Sequence, residues 1–293
     1  MPRSENLFAA LMMMASMACF VLNDTAMKLM AGDVPLFQLL ALRGTLTCLL
    51  VSVLAWRLGG FSARPDRRDW GLVALRTLAE IGATICFLTA LFNMPIADVS
   101  AIIQVLPLTV TLGAALVFGE RVGWRRWLAI MVGFAGVMLI VRPWSVAFTQ
   151  WSIYALLAVL CITIRDLSTR RLSAATPSIF VTFITSVAMM AVFGVWQLRA
   201  PFVSMELREI ALVALASIFI IGAYLSSIMV MRVGEISFVA PFRFTSLLWA
   251  LVLGWLVFGE WPAPLVLTGS GIVVASGLFM LYREAQIARK KTP

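Results

Sequence analysis

The chain has no histidine, and Asp, Glu, Lys and Arg together make up only 13% of its 293 residues. Without histidine it lacks the commonest metal ligand and the side chain best suited to proton transfer near neutral pH, which weakens most enzymatic readings. Cysteine is scarce: Cys19, Cys48, Cys86 and Cys161 are the whole set. Each lies inside an apolar run, so a disulfide framework is not expected. No GxxxxGK[ST] phosphate loop occurs, which argues against ATP as the energy source. HExxH, CxxC and GxSxG are missing as well, so no zinc peptidase, dithiol centre or nucleophile elbow is encoded.

Apolar sequence fills the space. Hydrophobic residues make up 62% of the chain and mean hydropathy is +0.99, against roughly half apolar in soluble domains. Ten apolar runs stand out, near 7–30, 35–57, 70–93, 96–118, 124–142, 150–169, 177–198, 209–231, 236–258 and 263–282. Each approaches the roughly 20 residues that a membrane-crossing helix requires, and backbone in hydrocarbon must pair internally, so each is expected to be helical. Turn formers sit between them, as at Gly32-Asp33-Val34-Pro35, Gly59-Gly60 and Asn93-Met94-Pro95. The first run continues into Asn23 and Asp24 without a cleavage site, so it reads as a retained helix.

The net charge of +9 would suggest nucleic acid in a soluble protein. Here the basic residues cluster between apolar runs, as topology charge does, so no nucleic-acid partner is expected. With the N-terminus inside, fifteen of the 23 Lys and Arg fall on the inner side and only Arg142, Arg199 and Arg208 on the outer. The other five, Lys28, Arg43, Arg76, Arg165 and Arg243, lie within helices. This bias predicts that both termini are cytoplasmic. Most tryptophans lie near segment ends, as an interfacial belt requires.

The chain also repeats itself. Phe118-Gly119-Glu120 recurs as Phe258-Gly259-Glu260, each closing an apolar run and followed by a glycine-containing run that ends in Arg142 or Arg283. Upstream, Ala97-Asp98-Val99-Ser100 is echoed by Gly234-Glu235-Ile236-Ser237. Two halves of five helices each must be inserted in opposite senses, because five is odd. Inverted repeats around a midplane site are a transporter architecture.

These same motifs carry a resemblance. Pro95-Ile96-Ala97-Asp98-Val99-Ser100-Ala101-Ile102 through Phe118-Gly119-Glu120-Arg121, with Gly133-Phe134-Ala135-Gly136-Val137 and Arg142-Pro143, resembles the first repeat of the drug/metabolite transporter superfamily. Gly234-Glu235-Ile236-Ser237, Pro241-Phe242-Arg243-Phe244-Thr245, Leu248-Trp249-Ala250, Gly254 and Phe258-Gly259-Glu260 resemble its EamA-type pattern. Phe244 departs from it, since a tyrosine is more usual there. The likeness spans nearly the whole chain. It implies ten helices in two inverted repeats, no ATP, and export of metabolites or amino acids across the bacterial inner membrane, with aromatic amino-acid exporters among its members.

Charge inside a bilayer costs about 2.5–3.5 kcal/mol per residue at the centre, so it normally faces a partner or a wet cavity. Asp24 and Lys28 lie one turn apart in helix one, with Arg43 at similar depth in helix two. Asp24 with Arg43 or Lys28 is either an ion pair joining these helices or a proton-coupling carboxylate and outer gate. Helix three sets Arg76, Glu80, Thr84 and Phe87 on one face. Arg243 enters from the same side, so Glu80–Arg243 is the expected contact across the repeats, acting as a structural pair or as a cytoplasmic gate. Helix four aligns Ser100, Gln104, Pro107 and Thr111; Pro107 frees a backbone carbonyl, as beside a cavity or at a packing kink. Helix nine aligns Arg243 and Ser246, and its Trp249 is mid-helix. Tyr224 and Ser227 of helix eight complete the candidate lining. Arg165 and Asp166 read as a local interfacial network.

The expectation is thus an all-α polytopic membrane protein of two five-helix repeats, residues 7–143 and 144–283, with a basic cytoplasmic tail at 284–293. Helices 3, 4, 8 and 9 would form the cavity, with helix 1 nearby. The chain would act as a monomer in the lipid bilayer, without cofactor or metal, exporting a small amphipathic solute, most simply an aromatic amino acid. Drug, nucleoside or other metabolite export is the alternative within the class. An intramembrane enzyme, a scaffold and a lipid scramblase are the rivals outside it.

Overall fold

The structure is a computed structural model and describes residues 3–57, 65–119, 123–143, 149–173, 176–233 and 239–291. Its helices are α1 (Arg3–Lys28), α2 (Leu36–Arg57), α3 (Arg67–Asn93), α4 (Ile96–Ile103), α5 (Leu106–Phe118), α6 (Trp124–Val141), α7 (Gln150–Arg170), α8 (Ser178–Gln197), α9 (Leu207–Val233), α10 (Thr245–Phe258) and α11 (Pro264–Lys291). A 3-10 turn, Ala240–Phe244, precedes α10. Among the described residues, ten helical stretches are long and apolar enough to cross a membrane. Their exteriors show why: Leu78, Leu116 and Leu248 are each more than 60% exposed, tolerable only where hydrocarbon covers them. The chain is a multi-pass membrane protein. Its last helix runs on past Arg283 to Lys291, so most of the expected tail is helix.

Two spans are broken, and proline explains both. Pro107 sits in the first turn of α5, and its ring would clash with the carbonyl four residues earlier, that of Ile103. α4 ends at Ile103, and Gln104 and Val105 bridge the two halves. Pro241 likewise lies in the first turn of the 3-10 segment that opens the ninth span. Both spans then end alike: Gly119 and Gly259 cap α5 and α10 in the left-handed region, each at φ 65°. Glycine is the residue that takes this conformation without a Cβ penalty.

The packing obeys the same twofold logic. α1 lies along α9 as α7 lies along α3, α2 pairs with α8, and α6 pairs with α11. α5 rests on α7 as α10 rests on α1. Exchanging the two five-span halves leaves this pattern unchanged, as inverted repeats require. The α6–α11 crossing is close. A Cβ on Gly136 would lie 2.9 Å from the Gly269 carbonyl, and one on Gly269 2.6 Å from the Gly136 carbonyl, so small residues let these backbones touch. An even number of crossings puts Arg3 and Lys291 on one face, here the terminal face; the other is the distal face.

Candidate functional site

α3 presents a stripe that the surrounding lipid does not explain. Arg76, Glu80, Thr84 and Phe87 are all half-buried, whereas Leu75 and Leu78 on its other side are exposed. Polar groups half-exposed on an inward face border space between helices, because hydrocarbon would leave them unsatisfied. α7, packed along α3, brings Arg165 against Glu80, with Arg165 donating to its carboxylate at 3.1 Å. The same guanidinium holds Asp166 at 2.9 Å. From the other side, Asn23 donates to Asp24 at 2.9 Å and accepts from Arg43 at 3.2 Å, so one amide links a carboxylate on α1 to a guanidinium on α2. The Tyr224 phenol on α9 lies within the electrostatic reach of Glu80, Arg165, Arg76 and Arg43. Its ring meets Phe20 edge-on at 5.9 Å. Spans one, two, three, six and eight thus surround one charged interior.

The broken spans meet at Gln104. Its Nε2 donates to the Phe244 carbonyl at 3.2 Å and to Ser246 Oγ at 3.1 Å. The amide therefore joins the fourth span to the ninth across the repeat boundary, at the point where proline interrupts regular helix. Ser246 Oγ in turn donates to the Arg243 carbonyl at 3.0 Å. Pro107 contributes its carbonyl to Thr111.

The two faces differ. On the terminal face a cavity of about 320 Å³ opens beside Arg76, lined also by Thr169, Ser173, Thr176, Ser178 and Thr182. Arg76 donates to Thr169 and Thr185 there, one helical turn from Glu80. Buried Asp69 accepts from Ser173 and Thr176, which holds the α7–α8 connection against α3. On the distal face Lys28, at the end of α1, reaches Glu260 at 2.7 Å and donates to the Met94 carbonyl at 2.8 Å. Glu260 also accepts from the Ile96 amide at 3.2 Å, capping α4 from the other repeat.

Several expected contacts are corrected. Glu80 pairs with Arg165, not Arg243. The reason is packing: α7 runs the length of α3, while the 3-10 turn that carries Arg243 rests on α1 and α11. Arg243 is exposed, and its charge faces Asp166 and Arg165. Arg165 and Asp166 are accordingly part of the interior rather than only a local interfacial network. Lys28 leaves Asp24 to Arg43 and pairs across the repeats. Trp249 joins the exposed apolar stripe of Leu248, Val252 and Leu256, away from the charged interior. Phe87 packs between the two main hydrophobic clusters. Ser100 and Thr84 are half-buried, and the Ser227 side chain lies outside the described residues. Sequence reasoning did not single out Asn23 as a bridge, Gln38, whose amide exchanges two hydrogen bonds with the Val203 backbone, or Asp98. Polar residues inside the apolar runs of α1, α2 and α4 were the available signal. No group of three or more His, Cys, Asp or Glu among the described residues could hold a metal.

The chain matches the EamA-like transporter family over residues 7–142 and again over 149–282. It is 30% identical to a riboflavin transporter of Vibrio cholerae, covering 78% of this chain and 77% of that one. A riboflavin transporter of Rhizobium johnstonii is 28% identical, with 79% and 76% covered. An S-adenosylmethionine uptake transporter of Rickettsia bellii is 25% identical over 67% of each chain. A solved crystal structure shares the fold over 100% of both chains, with a TM-score of 0.64 at 19% identity. With two matched repeats, ten spans and transporters for relatives, the chain belongs to the EamA-like transporters of the drug/metabolite transporter superfamily.

Proposed function

We propose that this transporter carries a small solute that joins an aromatic ring to a polar or zwitterionic tail, and that it does so by rocking its two repeats around the charged interior. The observation that supports this most is the Glu80–Arg165–Asp166 group, with Asp24, Asn23 and Arg43 nearby and the Tyr224 phenol within reach of charges from both groups. Opposite charges on separate helices can each engage one end of a zwitterion, and aromatic faces can hold a planar ring. Riboflavin and S-adenosylmethionine, named for the relatives, both join a heteroaromatic ring to a polar chain. The aromatic amino acids expected from sequence are the simplest solutes of that kind. We place the protein in the bacterial inner membrane with both termini cytoplasmic, on the strength of the arginine bias, with export as the physiological direction.

Counterflow in proteoliposomes tests the reading. Vesicles loaded with unlabelled riboflavin, S-adenosylmethionine or tryptophan are offered the labelled compound, and saturable exchange of at least one is expected. Glu80→Gln removes a charge-assisted bond to Arg165 and is expected to slow that exchange on the order of tenfold. No exchange by wild type with any of the three overturns the substrate class. Efflux from energised cells that is unchanged by expressing the protein overturns export.

A further inference from the structure

The distal face carries more charge than one ion pair requires. Lys28 is nearly enclosed, with its side chain 9% exposed, and spends its donors on Glu260 and the Met94 carbonyl while lying over the Phe258 ring at 4.7 Å. Lys28 and Met94 belong to the first repeat; Glu260 and Phe258 belong to the second. This contact therefore ties the halves together at the distal end. A second carboxylate waits beside it. Asp98, in the first turn of α4, is close enough for its charge to act on Lys28, and it also faces Arg142 and Glu260. Among the described residues its buried Oδ1 has no hydrogen-bond partner. Asp98 is in the same repeat as Lys28.

We propose that Lys28, Glu260 and Asp98 form an exchange latch. Lys28 binds Glu260 of the second repeat while the distal face is closed, and passes to Asp98 of its own repeat when the halves part. The proposal rests on the rocking motion proposed above and names the groups that control its distal side. Breaking an enclosed ion pair is strongly unfavourable when it leaves a charge with no partner. A carboxylate already held on the moving half removes that penalty, so the face can open without either half carrying an uncompensated Lys28. Glu260, left behind, lies two residues past the end of α10, where water reaches it on opening. The terminal face shows half of a matching device: Arg171, just past the end of α7, lies over the Phe118 ring at 4.0 Å. It stands to the first FGE motif as Lys28 stands to the second, so a cation at the end of the first span of each repeat seats on the closing phenylalanine of the other.

The test needs no solute, so it can fail while the transport reading stands, and the reverse. In a chain whose four cysteines are replaced by serine, Ser100→Cys reports access from the distal side to a membrane-impermeant maleimide in oriented proteoliposomes. Glu260→Gln is expected to raise the labelling rate on the order of tenfold, since Lys28 then has its partner only in the open arrangement. Asp98→Asn alone is expected to leave the rate at or below that of the parent. Combined with Glu260→Gln it is expected to cancel most of the rise, because the open arrangement has lost its pair. Should Glu260→Gln not fold, Glu260→Asp withdraws the carboxylate by one methylene, and a smaller rise is expected. A folded Glu260 variant that labels at the parental rate overturns the latch. A rise that persists undiminished in the double variant overturns the exchange onto Asp98.

Discussion

Gln104 replaces, with one side chain, the continuity that Pro107 removes from the fourth span. Its amide spends both donor positions on the ninth span, at Phe244 and Ser246. A buried hydrogen bond contributes about 1 kcal/mol net, so Gln104→Leu, near in volume and without donors, is expected to destabilise the protein by about 1–2 kcal/mol. Thermal unfolding in detergent would read this as a lowered midpoint, and an unchanged midpoint would mean that the bridge holds nothing. Residues of this kind were only half legible in the sequence. Helical counting put Arg76, Glu80, Thr84 and Phe87 on one face, and the structure keeps them on one half-buried stripe. Counting gives depth and angle on the residue's own helix, however, and says nothing of which neighbour stands opposite. Depth alone matches Glu80 with Arg243, whereas α7 brings Arg165 to it. Sequence proximity matches Lys28 with Asp24, yet as the last residue of its helix it reaches another repeat.

At the scale of the helix the sequence was far more informative, because span length is dictated by bilayer thickness. The expected runs and the observed spans differ by a few residues at most of their ends, as 35–57 against Leu36–Arg57 and 124–142 against Trp124–Val141 show. The breaks in spans four and nine were announced by Pro107 and Pro241, whose effect on a helix is steric and local. Crossing geometry was less visible: the glycines were evident, but which of them meet was not. Gly136 and Gly269 meet each other, and Gly136→Ala or Gly269→Ala must push a carbonyl away. Overpacking of this kind typically costs about 1–3 kcal/mol. Because both variants strain one contact, the double variant is expected to cost less than the two singles summed. Gly194→Ala in α8, where a Cβ meets nothing within 4 Å, is the control and is expected to be neutral or slightly stabilising. Denaturation midpoints of the four proteins decide it, and a Gly194 variant as unstable as the others would remove the crossing from the explanation.

Across the ten spans, parity is the governing constraint. A repeat of five spans cannot return to the face it started from, so two copies in one chain must be antiparallel, and the pairing of α1 with α9 and of α7 with α3 is the structural trace of that constraint. Sequence could carry this much because the FGE motif survives in both halves. It could not show that the two motifs serve one cross-repeat contact each, since this depends on which helix ends converge. Parity settles the relative orientation of the halves and leaves the absolute one to charge, where fifteen basic residues on the terminal side oppose three on the distal side. In a cysteine-free chain, Gly123→Cys at the start of α6 marks the terminal face and Glu206→Cys, just before α9, marks the distal face; both positions are exposed. In intact cells an impermeant maleimide is expected to reach position 206 at once and position 123 only after the membrane is permeabilised. The reverse result would invert the protein in the membrane and keep the fold. Labelling of both from the same side would break the parity itself, because 123 and 206 are separated by three spans, α6, α7 and α8, and an odd number of crossings cannot end on the face where it began.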